Sequence, residues 1–227
     1  MSLDDLMSSR GVFITGTDTD AGKTVASAAL VHALRRGGRR VVGMKPVASG
    51  CESTPDGWRN ADALALQAAS DPVPAYALVN PVALRDPTAP QLAARAVGAH
   101  VTLPPLLAAY RDLAAMADQV VVEGVGGWLA PLADELDQSA LVKALDLPVI
   151  LVVGLKLGCL NHARLTARAI AADGCRLLGW IGSTVEPGFP PAYLDLVHAA
   201  LPVPCLGVLP HAPGASAAER AASLLAR

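Results

Sequence analysis

The chain has 227 residues with 18 basic and 20 acidic side chains, a formal net charge of −2 and a pI near 6.2, which excludes a strongly basic nucleic-acid binder. A hydrophobic fraction of 52%, a charged fraction of 17% and a mean hydropathy of +0.41 exclude a disordered polymer and call for a large buried core. No apolar run reaches the roughly 18 residues of a membrane span, the best one being closed by Lys156, so neither a membrane nor a nucleic acid is expected as partner.

The amino-terminal sequence MSLDDLMSSR places two aspartates where a secretory signal needs positive charge, so a cytoplasmic protein is expected. Residues 1–10 read as a disordered leader and 11–227 as one domain. A Val, Ile and Phe run then predicts a strand over 11–15, helical spacing a helix over 22–36, and a second apolar run a strand over 39–46. Helices follow over 61–70, 90–97 and 103–117, then a strand over 119–123, a helix over 138–145 and a strand over 148–153. The carboxyl-terminal part reads as a helix over 159–172, a strand over 177–181, a helix over 191–200, a strand over 205–209 and a helix over 215–225. Most strands are continuous apolar runs, as parallel strands covered on both faces are. The alternation predicts an α/β three-layer sandwich with a mainly parallel central sheet. The proline-rich stretch 71–102 shows no obvious strand and reads either as a cover over a ligand or as an excursion packed on one edge. The four cysteines, Cys51, Cys159, Cys175 and Cys205, form no CxxC pair and are expected to be reduced thiols.

The first strand runs into Gly16-Thr17-Asp18-Thr19-Asp20-Ala21-Gly22-Lys23-Thr24, where the first helix opens. Glycines let backbone N–H groups turn inward around phosphate oxygens, a lysine neutralises the outer phosphates, and a hydroxyl can hold Mg²⁺. The spacing Gly-x5-Gly-Lys-Thr is one residue longer than the common form, but its place between first strand and first helix is the one a phosphate-binding loop needs. This makes the fold that of a P-loop NTPase. Mg²⁺ needs further oxygen ligands. Glu123 closes Val120-Val121-Val122 and precedes Gly124-Val125-Gly126-Gly127, on the sheet edge where α/β folds bind ligands. Asp62, at a helix start, reads either as a ligand or as a first-turn acid favoured by the helix dipole. Lys45, at the end of the second strand, reads either as a phosphate or substrate ligand or as a solvated strand end. The segment Gly158-Cys159-Leu160-Asn161 opens a helix whose free N–H groups could receive an anion, and Cys159 has no general base beside it in sequence.

Together the blocks TGTDTDAGKT, GMKPVASG, Asp62, VVVEGVGGWLAPL and GLKLGCLNHARLT resemble dethiobiotin synthetase, in order and spacing, from about Gly11 to Pro210. The resemblance implies a homodimeric ligase that uses ATP, Mg²⁺ and CO₂ or bicarbonate to convert 7,8-diaminopelargonic acid to dethiobiotin, ADP and phosphate. It implies that Lys23 and the amides of Asp20, Ala21, Gly22, Lys23, Thr24 and Val25 hold the phosphates, that Thr24, Asp62 and Glu123 ligate Mg²⁺, and that Lys45 and Lys23 are catalytic. Gly124, Val125 and Gly126 would border the nucleotide, with Ser183 and Thr184 at its base and Pro210, His211 and Ala212 closing over it. Thr19, Lys45 and Ser49 would meet the substrate, and Gly158 to Asn161 would receive its carboxylate across a dimer interface.

One departure bears on selectivity. Many members have an asparagine reading the adenine edge where this chain has Ser183, and a single hydroxyl cannot offer the paired donor and acceptor of an amide. Two other readings fit less well. A cobyrinate amidating synthetase normally carries a fused glutaminase domain, for which 227 residues leave no room. A partitioning or septum-positioning ATPase has an additional lysine early in the loop, where this chain has Thr17 and Asp18, and its membrane-binding members end in a basic amphipathic helix, for which the tail here is a poor candidate.

Overall fold

The computed structural model describes residues 3–225. In chain order it comprises α1 (Leu3–Ser8), β1 (Gly11–Gly16), α2 (Lys23–Arg35), β2 (Val41–Met44), β3 (Val47–Ala48), β4 (Glu52–Thr54), β5 (Gly57–Arg59) and α3 (Ala61–Ala69). There follow α4 (Tyr76–Val79), β6 (Val82–Ala83), α5 (Pro90–Ala96), α6 (Leu103–Met116), β7 (Gln119–Gly127), β8 (Pro131–Ala133), β9 (Leu136–Asp137) and α7 (Gln138–Leu145). The chain closes with β10 (Val149–Gly154), α8 (Cys159–Ala172), β11 (Leu177–Ser183), α9 (Ala192–Ala200), β12 (Cys205–Leu209) and α10 (Ala217–Arg220).

Six strands form one parallel sheet in the order β12-β11-β10-β1-β7-β2. Side chains alternate across each strand, so the continuous apolar runs feed two cores at once. From β1, Val12 and Ile14 join Leu30 and Leu34 of α2, while Phe13 joins Leu106 and Leu113 of α6 and Leu141 of α7 on the opposite face. A third cluster seats Leu151, Val153 and Trp180 against α8 and α9. Fully burying one such side chain stabilises the fold by about 1.5–3 kcal/mol. The strand order reverses around β1, between β7 and β10, and the crevice at its carboxyl end is where ligands collect in open α/β sheets. The α/β sandwich with a mainly parallel sheet, predicted from the apolar runs, is the architecture observed. Among the described residues no helix is long and apolar enough to cross a membrane.

Three expectations need correction. The leader is not disordered over its described part: α1 forms, Leu6 is 1% exposed, and its carbonyl accepts a 2.8 Å hydrogen bond from Nε2 of buried Gln119. One well-placed apolar side chain and an amide in need of an acceptor are enough to dock it, while residues 1–2 of the leader lie outside the described residues. The stretch 71–102 does contain a strand, β6, which pairs in parallel with β3 through Val47 and Val82 and through Ala48 and Ala83. Two-residue strands leave no periodicity to read. The last helix is shorter than predicted, because α10, opened by a Ser216–Glu219 capping box, passes into a 3₁₀ turn at Ala221–Ser223. The Leu225 N–H then donates to Leu206 at 2.8 Å and draws the chain alongside β12.

Candidate active site

The phosphate loop leaves β1 at Gly16 and enters α2 at Lys23. Gly22 adopts φ +86, and a Cβ there would collide with the Ser183 hydroxyl, so glycine is required by both conformation and space. The loop is tied to β10 where Thr17 Oγ1 accepts from the Gly154 N–H at 3.2 Å, and braced within itself where Lys23 Nζ donates to the Asp18 carbonyl at 2.8 Å. The first turn of α2 has no intrahelical acceptors for its N–H groups, which leaves them free to receive an anion.

Opposite the loop stands a charged cluster. Glu123, fully buried on β7, accepts at Oε1 from Lys45 Nζ at 2.6 Å and from Thr24 Oγ1 at 2.8 Å. Lys45 Nζ also donates to Asp62 Oδ2 at 3.1 Å and to the Gly124 carbonyl at 3.1 Å. Lys45 is 3% exposed and no solvated strand end, while Asp62 is both a first-turn acid of α3 and a partner of Lys45. Burial works against charge on Lys45, but Glu123 and Asp62 outweigh it and hold the ammonium above the ordinary lysine range. Burial likewise opposes ionisation of Asp62, and the Lys45 charge, with hydrogen bonds from Lys45 and Thr24, overcomes it and keeps the carboxyl low. Lys23 is pulled down to about 8, first by burial and then by the Lys45 charge, against the pull of Glu123, Asp62 and Asp18.

Thr24, Asp62 and Glu123 are therefore brought together around Lys45. Glu123 Oε2 is buried without a hydrogen-bond partner among the described residues, an acceptor of the kind a hard cation takes. An all-oxygen donor set of one hydroxyl and two carboxylates suits Mg²⁺, which keeps several waters of its own.

The cluster lines a cavity of about 420 Å³, together with Thr19, Asp20, Gly22, Val25, Ser49, Val125 and Gly126. A second cavity of about 540 Å³ adjoins it, sharing Thr19, Ser49, Val125 and Gly126 and walled on the far side by Pro87, Thr88, Ala89 and Pro90. The stretch 71–102 thus packs on one edge of the sheet and contributes one wall of this cavity. Gly158, Cys159, Leu160 and Asn161 stand outside both cavities of the single chain. Cys159 is 1% exposed and burial pushes its thiol up, which disfavours the thiolate. Ser183 lies buried under Gly22, the Thr184 N–H donates to Leu209 at 3.0 Å, and Pro210 and His211 are exposed beyond the end of β12. Ala212 is half-buried beside them.

Several residues that the sequence did not single out hold these groups in place. Asn60 caps α3 through the N–H groups of Asp62 and Ala63 and donates to the Ser49 carbonyl at 3.2 Å. Asn80 donates to the Lys45 carbonyl at 2.7 Å. The Arg220 guanidinium clasps the carbonyls of Pro210, Ala212 and Ala215. Only Asn60 left a local signal, an amide just before a helix.

The pull on Lys23 has a measurable consequence for nucleotide binding. Phosphate oxygens favour its charged form, so below pH 8 the lysine is already protonated and contributes no pH dependence. Above that value binding must take up a proton, and ADP affinity is expected to fall by up to about tenfold per pH unit. Calorimetry in buffers of different ionisation enthalpy checks this, and a flat affinity from neutral pH upward would remove the lysine from phosphate binding.

Residues 10–219 match the family described as AAA domain. Among solved structures the chain is similar to the MinC:MinD cell division protein complex of Aquifex aeolicus, with a TM-score of 0.57 at 13% identity over 94% of this chain and 86% of that one. It is equally similar to a ParA family ATPase from Chlorobium tepidum TLS, with a TM-score of 0.57 at 11% identity, covering 96% of this chain and 91% of the other. These likenesses speak for the fold alone. The sequence is 58% identical over 214 residues, 93% of this chain and 96% of the relative, to the ATP-dependent dethiobiotin synthetase BioD of Xanthomonas euvesicatoria pv. vesicatoria (strain 85-10). It is 56% identical over 221 residues, 96% of this chain and 98% of the relative, to the protein of the same name in Xylella fastidiosa (strain 9a5c). With near-full coverage at that identity, and a phosphate loop facing a lysine and two carboxylates, the chain belongs to the family of ATP-dependent dethiobiotin synthetases.

Proposed function

We propose that the enzyme carboxylates 7,8-diaminopelargonic acid with CO₂ and closes the urea ring of dethiobiotin at the expense of ATP. The observation that carries this reading is the junction of two cavities, one lined by the phosphate loop and Lys45, the other walled by Pro87 to Pro90, with Thr19, Ser49, Val125 and Gly126 common to both. One substrate amine takes up CO₂ as a carbamate, whose oxygen attacks the γ-phosphorus in line and displaces ADP. The second amine attacks the carbonyl of the resulting carbamic-phosphoric anhydride, forming the second C–N bond and releasing phosphate.

The chain's own contribution is position and charge. Lys23 and the amides of residues 20–25 bind the phosphates, and Lys45, held in its charged form by Glu123 and Asp62, is a fixed cation beside the transferring group and no base. Thr24, Asp62 and Glu123 would hold Mg²⁺, which when bound neutralises phosphate oxygens. Pro87 to Pro90 wall the cavity in which the anhydride would form and limit the approach of water from that side. No side chain forms a covalent bond to the substrate.

Gly158 to Asn161 are proposed to receive the substrate carboxylate from a second copy of the chain. Their position outside the cavities supports this, as does Leu157, 82% exposed just ahead of α8. Ser183, buried under Gly22, and Thr184 are proposed to lie near the base without the paired contacts of an amide, with Pro210, His211 and Ala212 over the nucleotide. The deciding assay is phosphate release from MgATP and bicarbonate with and without the diamine. Release that requires the diamine and is matched by dethiobiotin in the mass spectrum is expected, from a particle of twice the 23.2 kDa chain mass. GTP and CTP are expected to replace ATP with a kcat/KM within about tenfold, since no amide discriminates the base edge. Diamine-independent hydrolysis without product would favour a nucleotide switch.

A further inference from the structure

Gln138 opens α7 and is 1% exposed. An unpaired buried amide costs about 1–3 kcal/mol, so its partners matter. Oε1 accepts from the Val125 N–H at 2.6 Å, while Nε2 donates to the Gly127 carbonyl at 2.9 Å and reaches Thr15 Oγ1 at 3.4 Å. One side chain thus brackets Gly126 from both sides and ties it to β1, the strand that carries the phosphate loop. Gly124 lies so close to the same amide that any Cβ there would collide with it.

The bracketed stretch is where the two cavities meet. Val125 and Gly126 line both, Gly126 adopts φ +57, and the Gly124 carbonyl is one of the acceptors that hold Lys45 Nζ. We infer that Gln138 is a positioning residue of the ligase: it fixes residues 123–127, and with them the carbonyl that aims Lys45 and the floor shared by phosphate and substrate. The inference rests on the function proposed above.

The chemistry of the site is specific for a primary amide of this length, which offers an acceptor toward Val125 and a donor toward Gly127. Leucine fills similar space with neither. A carboxylate can accept from Val125 but has nothing to donate to the Gly127 carbonyl, whereas a protonated carboxyl restores the pattern.

The test uses the full-length enzyme and two variants, Gln138→Leu and Gln138→Glu. Gln138→Leu is expected to lower kcat by about tenfold to a hundredfold, the scale of a small misplacement near reacting groups. Its KM for ATP should rise by less than kcat falls, because the loop amides are untouched, and hydrogen exchange of the Val125 amide should accelerate. For Gln138→Glu, activity relative to the parent is expected to rise as pH is lowered from about 9 to about 6, because burial raises the introduced carboxyl and protonation rebuilds the donor. Glu123 on β7, Lys45 just beyond β2 and Asp137 beside it are common to both proteins, so the ratio isolates that carboxyl. A folded Gln138→Leu with kcat within about twofold of the parent would overturn the inference. So would a pH-independent ratio for Gln138→Glu, which decides the matter alone if the leucine variant does not fold. Should the parent form no dethiobiotin, the ligase reading fails, while unchanged exchange at Val125 would separately show that Gln138 clamps nothing.

Discussion

Lys45→Met is expected to abolish dethiobiotin formation, lowering kcat by roughly three orders of magnitude. The ammonium is buried, kept charged by two carboxylates and lines the same cavity as the phosphate loop, so methionine keeps the stem and removes the charge with its hydrogen bonds. The same geometry predicts a second effect. Lys45 holds one oxygen of Glu123 at 2.6 Å and Asp62 at 3.1 Å, and removing one partner of a buried ion pair costs about 3–5 kcal/mol because the other charge is left without compensation. A lower melting temperature in EDTA is therefore expected, with partial recovery in Mg²⁺. Recovery of stability without recovery of turnover distinguishes a role in charge stabilisation from a role in packing. Near-normal turnover in the variant would remove Lys45 from the mechanism.

Glu123→Gln comes next in expected size. The substituted amide keeps an oxygen to accept from Thr24 and Lys45, so the cluster retains its shape and the protein should fold. What it loses is the charge that offsets Lys45 and the oxygen of Oε2 that has no partner among the described residues. A fall in kcat of about a hundredfold or more is expected, with a rise in the Mg²⁺ concentration for half-maximal activity of at least about tenfold. With its largest source of support gone, the Lys45 ammonium drops toward deprotonation, and the alkaline limb of the rate profile should move to lower pH. Unchanged Mg²⁺ dependence would falsify the assignment of Glu123 as a cation ligand.

How far these residues could be read from the sequence depends on how local their cause is. The phosphate loop is local: its glycines, lysine and threonine lie within nine residues of β1 and α2, and the reading needed nothing else. Glu123 was legible as an acid at the end of an apolar run. That it pairs with Lys45 was not, because the contact exists only through the pairing of β7 with β2, and sheet order leaves no periodic trace. Gln138, Asn80 and Arg220 are more extreme, since each hydrogen-bonds a backbone group distant in sequence or in a loop, and no residue pattern marks such a partner. Helix α1 and strands β3 and β6 escaped for want of length.

The annex formed by residues 71–102 is joined to the chain around Lys45 by more than contact. The Lys45 N–H donates to Val79 at 2.7 Å, the Val82 N–H to Pro46 at 3.2 Å, the Leu84 N–H to Ala48 at 2.8 Å and the Cys51 N–H to Leu84 at 3.0 Å. The segment that leads into the proline wall of the second cavity is therefore hydrogen-bonded to the backbone on either side of Lys45. The wall proposed to shelter the anhydride is thus built on the same backbone ladder that places Lys45, so a substitution that loosens one is expected to disturb the other.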